Sequence, residues 1–219
     1  MIFNKKDDNI KMITPDNLGW YEVKLLPQEL EYVWKCVNDH KESDRFNGSL
    51  AGNIDSSYLL KDRSDWFFNN TLAPLCKKYR TECSELVDNK FIPLNQPHPL
   101  HMKSWWVNYQ KQGEFNPFHK HYGLYSFVIW LKIPFEWKDQ NRIRAASGSG
   151  DPQVSSFEIC YTNLLGEMCL YDYKIGSEAE GTMLFFPASL YHQVYPFYNC
   201  DEERISVSGN IAYNTAVRL

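Results

Sequence analysis

Residues 115–134 read FNPFHKHYGLYSFVIWLKIP. Pro117 and Gly123 bracket two histidines, His119 and His121, and the largely apolar run from Leu124 to Leu131 follows at once. That run is far short of the roughly 20 apolar residues a membrane span needs, and its β-branched and aromatic content marks a buried strand. In a strand, side chains at i and i+2 project from the same face. His119 and His121 can therefore offer two imidazoles to one point at the mouth of a β core.

The texture on both sides agrees with a β core. MKSWWVNYQ (102–110), YSFVIWLKIP (125–134), SFEICYTN (156–163), MCLYDYKI (168–175), GTMLFFP (181–187) and RISVSGNIAY (204–213) are strand-like, with Gly, Pro and Asn between them. Upstream, WYEVKLL (20–26) alternates like a short strand. Pro27 then opens a helix, in which Leu30, Val33, Trp34 and Val37 share one face. FNGSLAGNI (46–54) is a turn-rich connection, and helical spacing is expected from 57 to 86, divided at Pro74. Helices followed by six or more closely spaced strands predict a mainly β fold, a sandwich or barrel with the N-terminal helices packed on one side. A single domain over 1–219 is expected, with a loosely ordered lead (1–19), a helical part (20–100) and a β core carrying the site (101–219). KDQNRIRAASGSGDPQ (138–153) reads as a lid or a long loop.

Composition narrows the class. Hydrophobic residues make up 43% and aromatics 16% of 219 residues, enough for a sizeable core. The formal charge of −4 gives no electrostatic reason to expect nucleic acid, and Lys77, Lys78 and Arg80 read as a solvated helix face. The charged start MIFNKKDDN does not resemble a secretory leader, so a cytoplasmic location off the membrane is expected. Six cysteines without CxxC spacing read as reduced core residues, which leaves the sequons at Asn47 and Asn69 unused.

Two further residues give the histidine pair meaning. His192 follows another strand ending at a proline, and three imidazoles on one ion suit iron, zinc, copper or nickel. Arg204 lies twelve residues later, on a strand face with Ser206 and Ser208. A guanidinium turned into a sheet needs an anion, and Arg beside Ser makes a fork and a hydroxyl for a carboxylate. The alternative is an outward arginine pairing with Glu202 or Glu203.

HxH, a later His and then RxS together resemble the iron(II)- and 2-oxoglutarate-dependent oxygenases, on their prolyl-hydroxylase-like branch. The resemblance covers residues 104–211 and includes Gly181, Leu184, Phe186 and Pro187 ahead of the distal histidine. LPQELEYVW, SLAGNI and HxHxG followed by SFVIW also look like oxygenases encoded by phages of marine cyanobacteria, which would place the protein in a host cytoplasm. The resemblance implies a double-stranded β-helix (jelly-roll) core. It further implies Fe(II) on His119, His121 and His192, and 2-oxoglutarate held by Arg204 and Ser206 with Tyr109 and Trp130 alongside. O2 would be the oxidant, and an unactivated C–H bond, such as a prolyl residue of a peptide or protein or a site on a small molecule, would be hydroxylated. No catalytic side chain beyond the metal site is implied. Where most of the family has a carboxylate this sequence has His121, and Asp172 or a water is the alternative third ligand. Asn210 is read either as support for a ligand or as a partner of a neighbouring strand. Trp105, Trp106 and Tyr125 are read as substrate rim or as core.

Two competing readings stay open on sequence. Gly113 to His121 also begins a cupin motif, as in three-histidine thiol dioxygenases that ignore 2-oxoglutarate, although Arg204 then has no role. A non-catalytic β-barrel binding or structural protein is the other. Oligomeric state is not legible.

Overall fold

The computed structural model describes residues 13, 17–83, 98–144, 146, 148–150 and 152–216. Most of the expected lead (1–12, 14–16), the end of the expected second helix (84–86) and positions 145, 147 and 151 of the long loop lie outside these residues.

Ten strands and three α-helices are present among the described residues. They are β1 (Tyr21–Lys24), α1 (Pro27–Asn38), β2 (Ser56–Leu59), α2 (Ala73–Glu82), β3 (Leu100–Gln110), β4 (Asn116–His119), β5 (Tyr125–Lys132), the short α3 (Trp137–Gln140), β6 (Phe157–Thr162), β7 (Met168–Tyr173), β8 (Thr182–Pro187), β9 (Tyr191–Val194) and β10 (Arg204–Tyr213). A six-stranded antiparallel sheet runs β1-β8-β5-β10-β3-β2, and a four-stranded one runs β4-β9-β6-β7. From β3 on, the chain steps back and forth between the two sheets. Their facing sides close on one another as a double-stranded β-helix, the mainly β fold that the strand pattern predicts.

Period-two alternation sorts the large sheet into two faces. Trp105, Val107, Phe127, Ile129, Met183, Phe185, Val207 and Ile211 meet Val33, Val37, Leu72 and Tyr79 of the helical layer in one core. Val128, Trp130, Leu184 and Phe186 point the other way and meet Phe157 and Ile159 of the small sheet. Gly209 marks where the first core is tightest: a Cβ there would stand 2.5 Å from Phe127 Cζ and 2.9 Å from Trp105 Cβ. Gly209→Ala is expected to cost about 1–3 kcal/mol of stability by overpacking. Equilibrium denaturation measures this, and an unchanged midpoint would show that Phe127 yields freely.

The helical layer differs from expectation in two ways: no helix starts at residue 57, and Pro74 does not divide one helix from another. Residues 56–59 form β2 and not the start of a helix, because Tyr58 and Leu59 pair with Val107 and Trp106 while the Ser57 hydroxyl donates to Asn108 Oδ1 at 2.7 Å. Long-range pairing here overrides a local 3.6-residue spacing. Pro74 falls in the first turn of α2, and a π-helical turn over Phe68–Leu72 leads into it. That wider turn absorbs the backbone bond that proline cannot make. The 138–153 stretch is anchored where it is described: Gln140 exchanges side-chain hydrogen bonds of 2.8 Å with the backbone N–H and carbonyl of Tyr198, and Ala146 is buried. No helix among the described residues is long and apolar enough to cross a membrane.

Candidate metal and cosubstrate site

The small sheet brings two histidines together by register alone. His192 of β9 lies directly opposite His119 of β4 on one side and Ile159 of β6 on the other. His121 arrives differently from the simple i, i+2 expectation. β4 ends at His119, and His121 stands in the following loop, where its backbone N–H donates to the Ala188 carbonyl at 2.9 Å. Gly123 lets that loop press on β10, since a Cβ there would lie 2.8 Å from the Ile211 carbonyl oxygen. The three rings then cluster, with centroids 4.3 Å apart for His119–His192 and 5.0 Å for each of the other pairs.

One ring nitrogen from each histidine lies within 4.8 Å of the others, and no second such cluster occurs among the described residues. A single ion about 2 Å from each nitrogen closes that span with small ring rotations. His119 Nδ1 faces the Pro117 carbonyl oxygen at 2.6 Å and His192 Nδ1 faces that of Leu190 at 3.0 Å. A carbonyl oxygen only accepts, so each Nδ1 carries the proton and each Nε2 keeps its lone pair for a metal. Burial lowers the pKa of all three rings, and mainly through it, with a smaller contribution from the charge a protonated neighbour would carry, His121 falls to about 4 and His192 well below its usual range. They are neutral near pH 7, as metal ligands must be. The residues therefore fit a divalent transition metal. Asp172 stands opposite Glu158 in the β6–β7 pairing and is not part of the cluster.

The same shifts predict acid sensitivity. The unfolded chain takes up protons below about pH 6.5 while the folded metal-free protein resists them. Stability is thus present above pH 6.5 and falls as the pH drops towards the folded values. The thermal midpoint of metal-free protein should decline between pH 7 and pH 5, less steeply in His121→Asn. A flat profile across that window would contradict the burial of the rings.

Arg204 opens β10 and is 2% exposed, pointing inward and not towards Glu202, which instead pairs with Lys132. Its Nε and Nη2 donate to Gln110 Oε1 at 3.0 and 2.7 Å, Nη1 to the Ser155 carbonyl at 2.8 Å and Nη2 to the Tyr195 carbonyl at 3.1 Å. Phe135 and Phe197 stack near the guanidinium, with their ring centroids 5.8 and 5.6 Å from its carbon. Every one of these acceptors is neutral. Burial lowers the Arg204 pKa to about 9, which leaves it charged at pH 7.

A cavity of about 330 Å³ joins the two features, with the three histidines, Arg204, Ser206 and Trp130 all on its wall. Ser206 and Trp130 are direct cross-strand partners, so the structure brings them together as expected. Tyr109 is a correction. It opposes Ile205, not Arg204, and packs on the helix-side core near His40 and Tyr58. Alternation along β3 turns Trp106, Asn108 and Gln110 into the cavity instead. Gln110 was legible as a polar residue in phase with Trp106. Trp106 lies on the cavity wall 5.8 Å from the His121 ring, whereas Trp105 and Tyr125 belong to the helix-side core. Asn210 accepts from the Ser126 hydroxyl at 2.7 Å and donates to Ser104 at 3.4 Å, the neighbouring-strand role.

Residues 104–210 match the family model described as "Putative 2OG-Fe(II) oxygenase". The matched stretch holds all three histidines of the cluster, and the two findings together support a dioxygenase that uses Fe(II), 2-oxoglutarate and O2. No curated protein sequence matches the chain. Among solved structures it is similar to a Pseudomonas putida prolyl-4-hydroxylase, at 14% identity and TM-score 0.49, with 90% of this chain and 94% of that one covered. A Burkholderia pseudomallei oxidoreductase of the 2OG-Fe(II) oxygenase family gives 12%, 0.46, and 85% and 78%. HygX from Streptomyces hygroscopicus, with nickel, 2-oxoglutarate and hygromycin B bound, gives 11%, 0.44, and 90% and 84%.

Proposed function

We propose that His119, His121 and His192 hold the iron, that Arg204 and Ser206 receive the far carboxylate of 2-oxoglutarate beside Trp130, and that the enzyme hydroxylates an unactivated C–H bond. A peptidyl proline is the first substrate class to test. One observation carries the reading: a buried guanidinium with no carboxylate partner among the described residues opens on the same cavity as three convergent neutral imidazoles. An unpaired buried charge is costly, so the cavity is built for an anion.

When bound, the iron and 2-oxoglutarate supply oxidative decarboxylation to succinate and carbon dioxide coupled to oxygen insertion. The chain contributes the rest. The Nδ1 bonds to the Pro117 and Leu190 carbonyls fix two ring orientations. Phe157, stacked 5.5 Å from the His192 ring, and Phe186, edge-on at 5.1 Å, keep water from the inner side of the cluster. Trp106 borders His121 on the outer side, where a substrate would enter.

Anaerobic protein given Fe(II) and 2-oxoglutarate should develop a visible charge-transfer band, and succinate release with a proline-containing peptide library should then name the substrate. Iron uptake without any response to 2-oxoglutarate would end this reading. His121→Asp restores the carboxylate usual in the family and is expected to keep iron binding while adding one negative charge. A complete loss of iron would show that the loop tolerates only the imidazole.

A further inference from the structure

Gln110 ends β3 directly opposite Arg204 and is 2% exposed. Its amide orientation is fixed by chemistry: Oε1 receives two guanidinium N–H groups, and Nε2 donates to the Glu114 carbonyl at 2.5 Å. A guanidinium has only donors and a carbonyl only accepts, so the amide fits one way round.

The guanidinium has five N–H groups. Four are used, two on Gln110 and one each on the Ser155 and Tyr195 carbonyls. Among the described residues no partner takes the last Nη1 N–H. An incoming carboxylate therefore meets a single N–H of Arg204 together with its charge, and not an open two-pronged fork. What the cavity offers such a ligand is chiefly uncompensated positive charge, reinforced by the nearby Ser206 hydroxyl.

Glutamate has the length and planar end of glutamine and would accept the same two bonds more strongly. It would also neutralise the arginine. We infer that Gln110 is a positioning residue whose neutrality matters: it orients Arg204 by hydrogen bonds and leaves the guanidinium charge free for the far carboxylate of the cosubstrate. The inference rests on the reading of Arg204 given under Proposed function.

The test is anaerobic titration of Fe(II)-loaded protein with 2-oxoglutarate, followed by the charge-transfer band and by calorimetry, alongside iron affinity and thermal midpoint. Gln110→Glu should keep iron affinity and keep or raise the midpoint, yet weaken 2-oxoglutarate roughly 100-fold or more through the internal ion pair. Gln110→Met, which removes the clamp without adding charge, should weaken it about 10-fold with iron retained. A merely structural role would make Gln110→Glu harmless, so unchanged 2-oxoglutarate affinity in that variant overturns the inference alone. If the glutamate variant fails to fold, unchanged affinity in Gln110→Met overturns it as well. Wild-type protein that takes up iron and ignores 2-oxoglutarate overturns both the inference and the reading beneath it.

Discussion

Replacing His192 by alanine is expected to abolish metal binding while leaving the fold in place. His192 is the central ligand of the proposed set. Its strand is paired on both sides, its ring centroid lies 4.3 Å from that of His119 and 5.0 Å from that of His121, and the residue is 4% exposed. Without it, two imidazoles remain, and one of them, His121, is carried by a loop. Disturbing even the hydrogen-bonded supports of metal ligands costs about 10–100-fold in affinity, so loss of this ligand should exceed roughly 100-fold. The metal-free protein loses ring contacts with Phe157 and Phe186 but also sheds a desolvated titratable group, so its own midpoint should move little. The clean readout is the stabilisation added by metal, about 2.7 kcal/mol at a hundredfold excess over Kd. Wild-type protein should show that thermal shift with Fe(II), and His192→Ala should not. A shift that survives the substitution would place the ion elsewhere.

The parts of this architecture that sequence alone revealed are those set by local periodicity. The apolar run 124–131 and the alternation of Arg204, Ser206 and Ser208 each state their strand and their inward face without help from distant residues. What stayed hidden depends on partners far along the chain. Residues 56–59 become a strand because β3 passes beside them, and His121 is placed by the carbonyl of Ala188. Tyr109 shows a different failure. Its expected place followed from family likeness alone, whereas the phase of β3, with Trp106 and Asn108 inward, points to Gln110. Where an analogy and the pleat disagree, the pleat wins, because a one-residue change of phase moves a side chain to the opposite face. The clustering of the three histidines was readable, since the register that joins β4 to β9 needs only two short strands and the loop that follows.

Arg204→Ala should separate the two halves of the site. Among the described residues the hydrogen bonds of Arg204 go to Gln110, Ser155 and Tyr195 and to no imidazole, so iron affinity should stay within about threefold, the scale of an indirect effect. The 2-oxoglutarate affinity should fall by roughly 100-fold or more, because a charged, desolvated partner is lost. Stability should drop as well. Gln110 Oε1 and the Ser155 and Tyr195 carbonyls each lose a donor, and breaking such a buried network costs about 3–5 kcal/mol unless water enters the gap. Arg204→Lys guards against reading misfolding as lost affinity. It keeps the charge but cannot span Gln110, Ser155 and Tyr195 at once, so it should fold better than the alanine variant and bind 2-oxoglutarate with intermediate strength. The order wild type, lysine, alanine in 2-oxoglutarate affinity, at constant iron affinity, is the expected signature. Equal affinity in all three would mean that the cosubstrate's far carboxylate is held by another wall of the cavity, with the polar ladder of Ser206, Ser208 and Asn108 the next place to look.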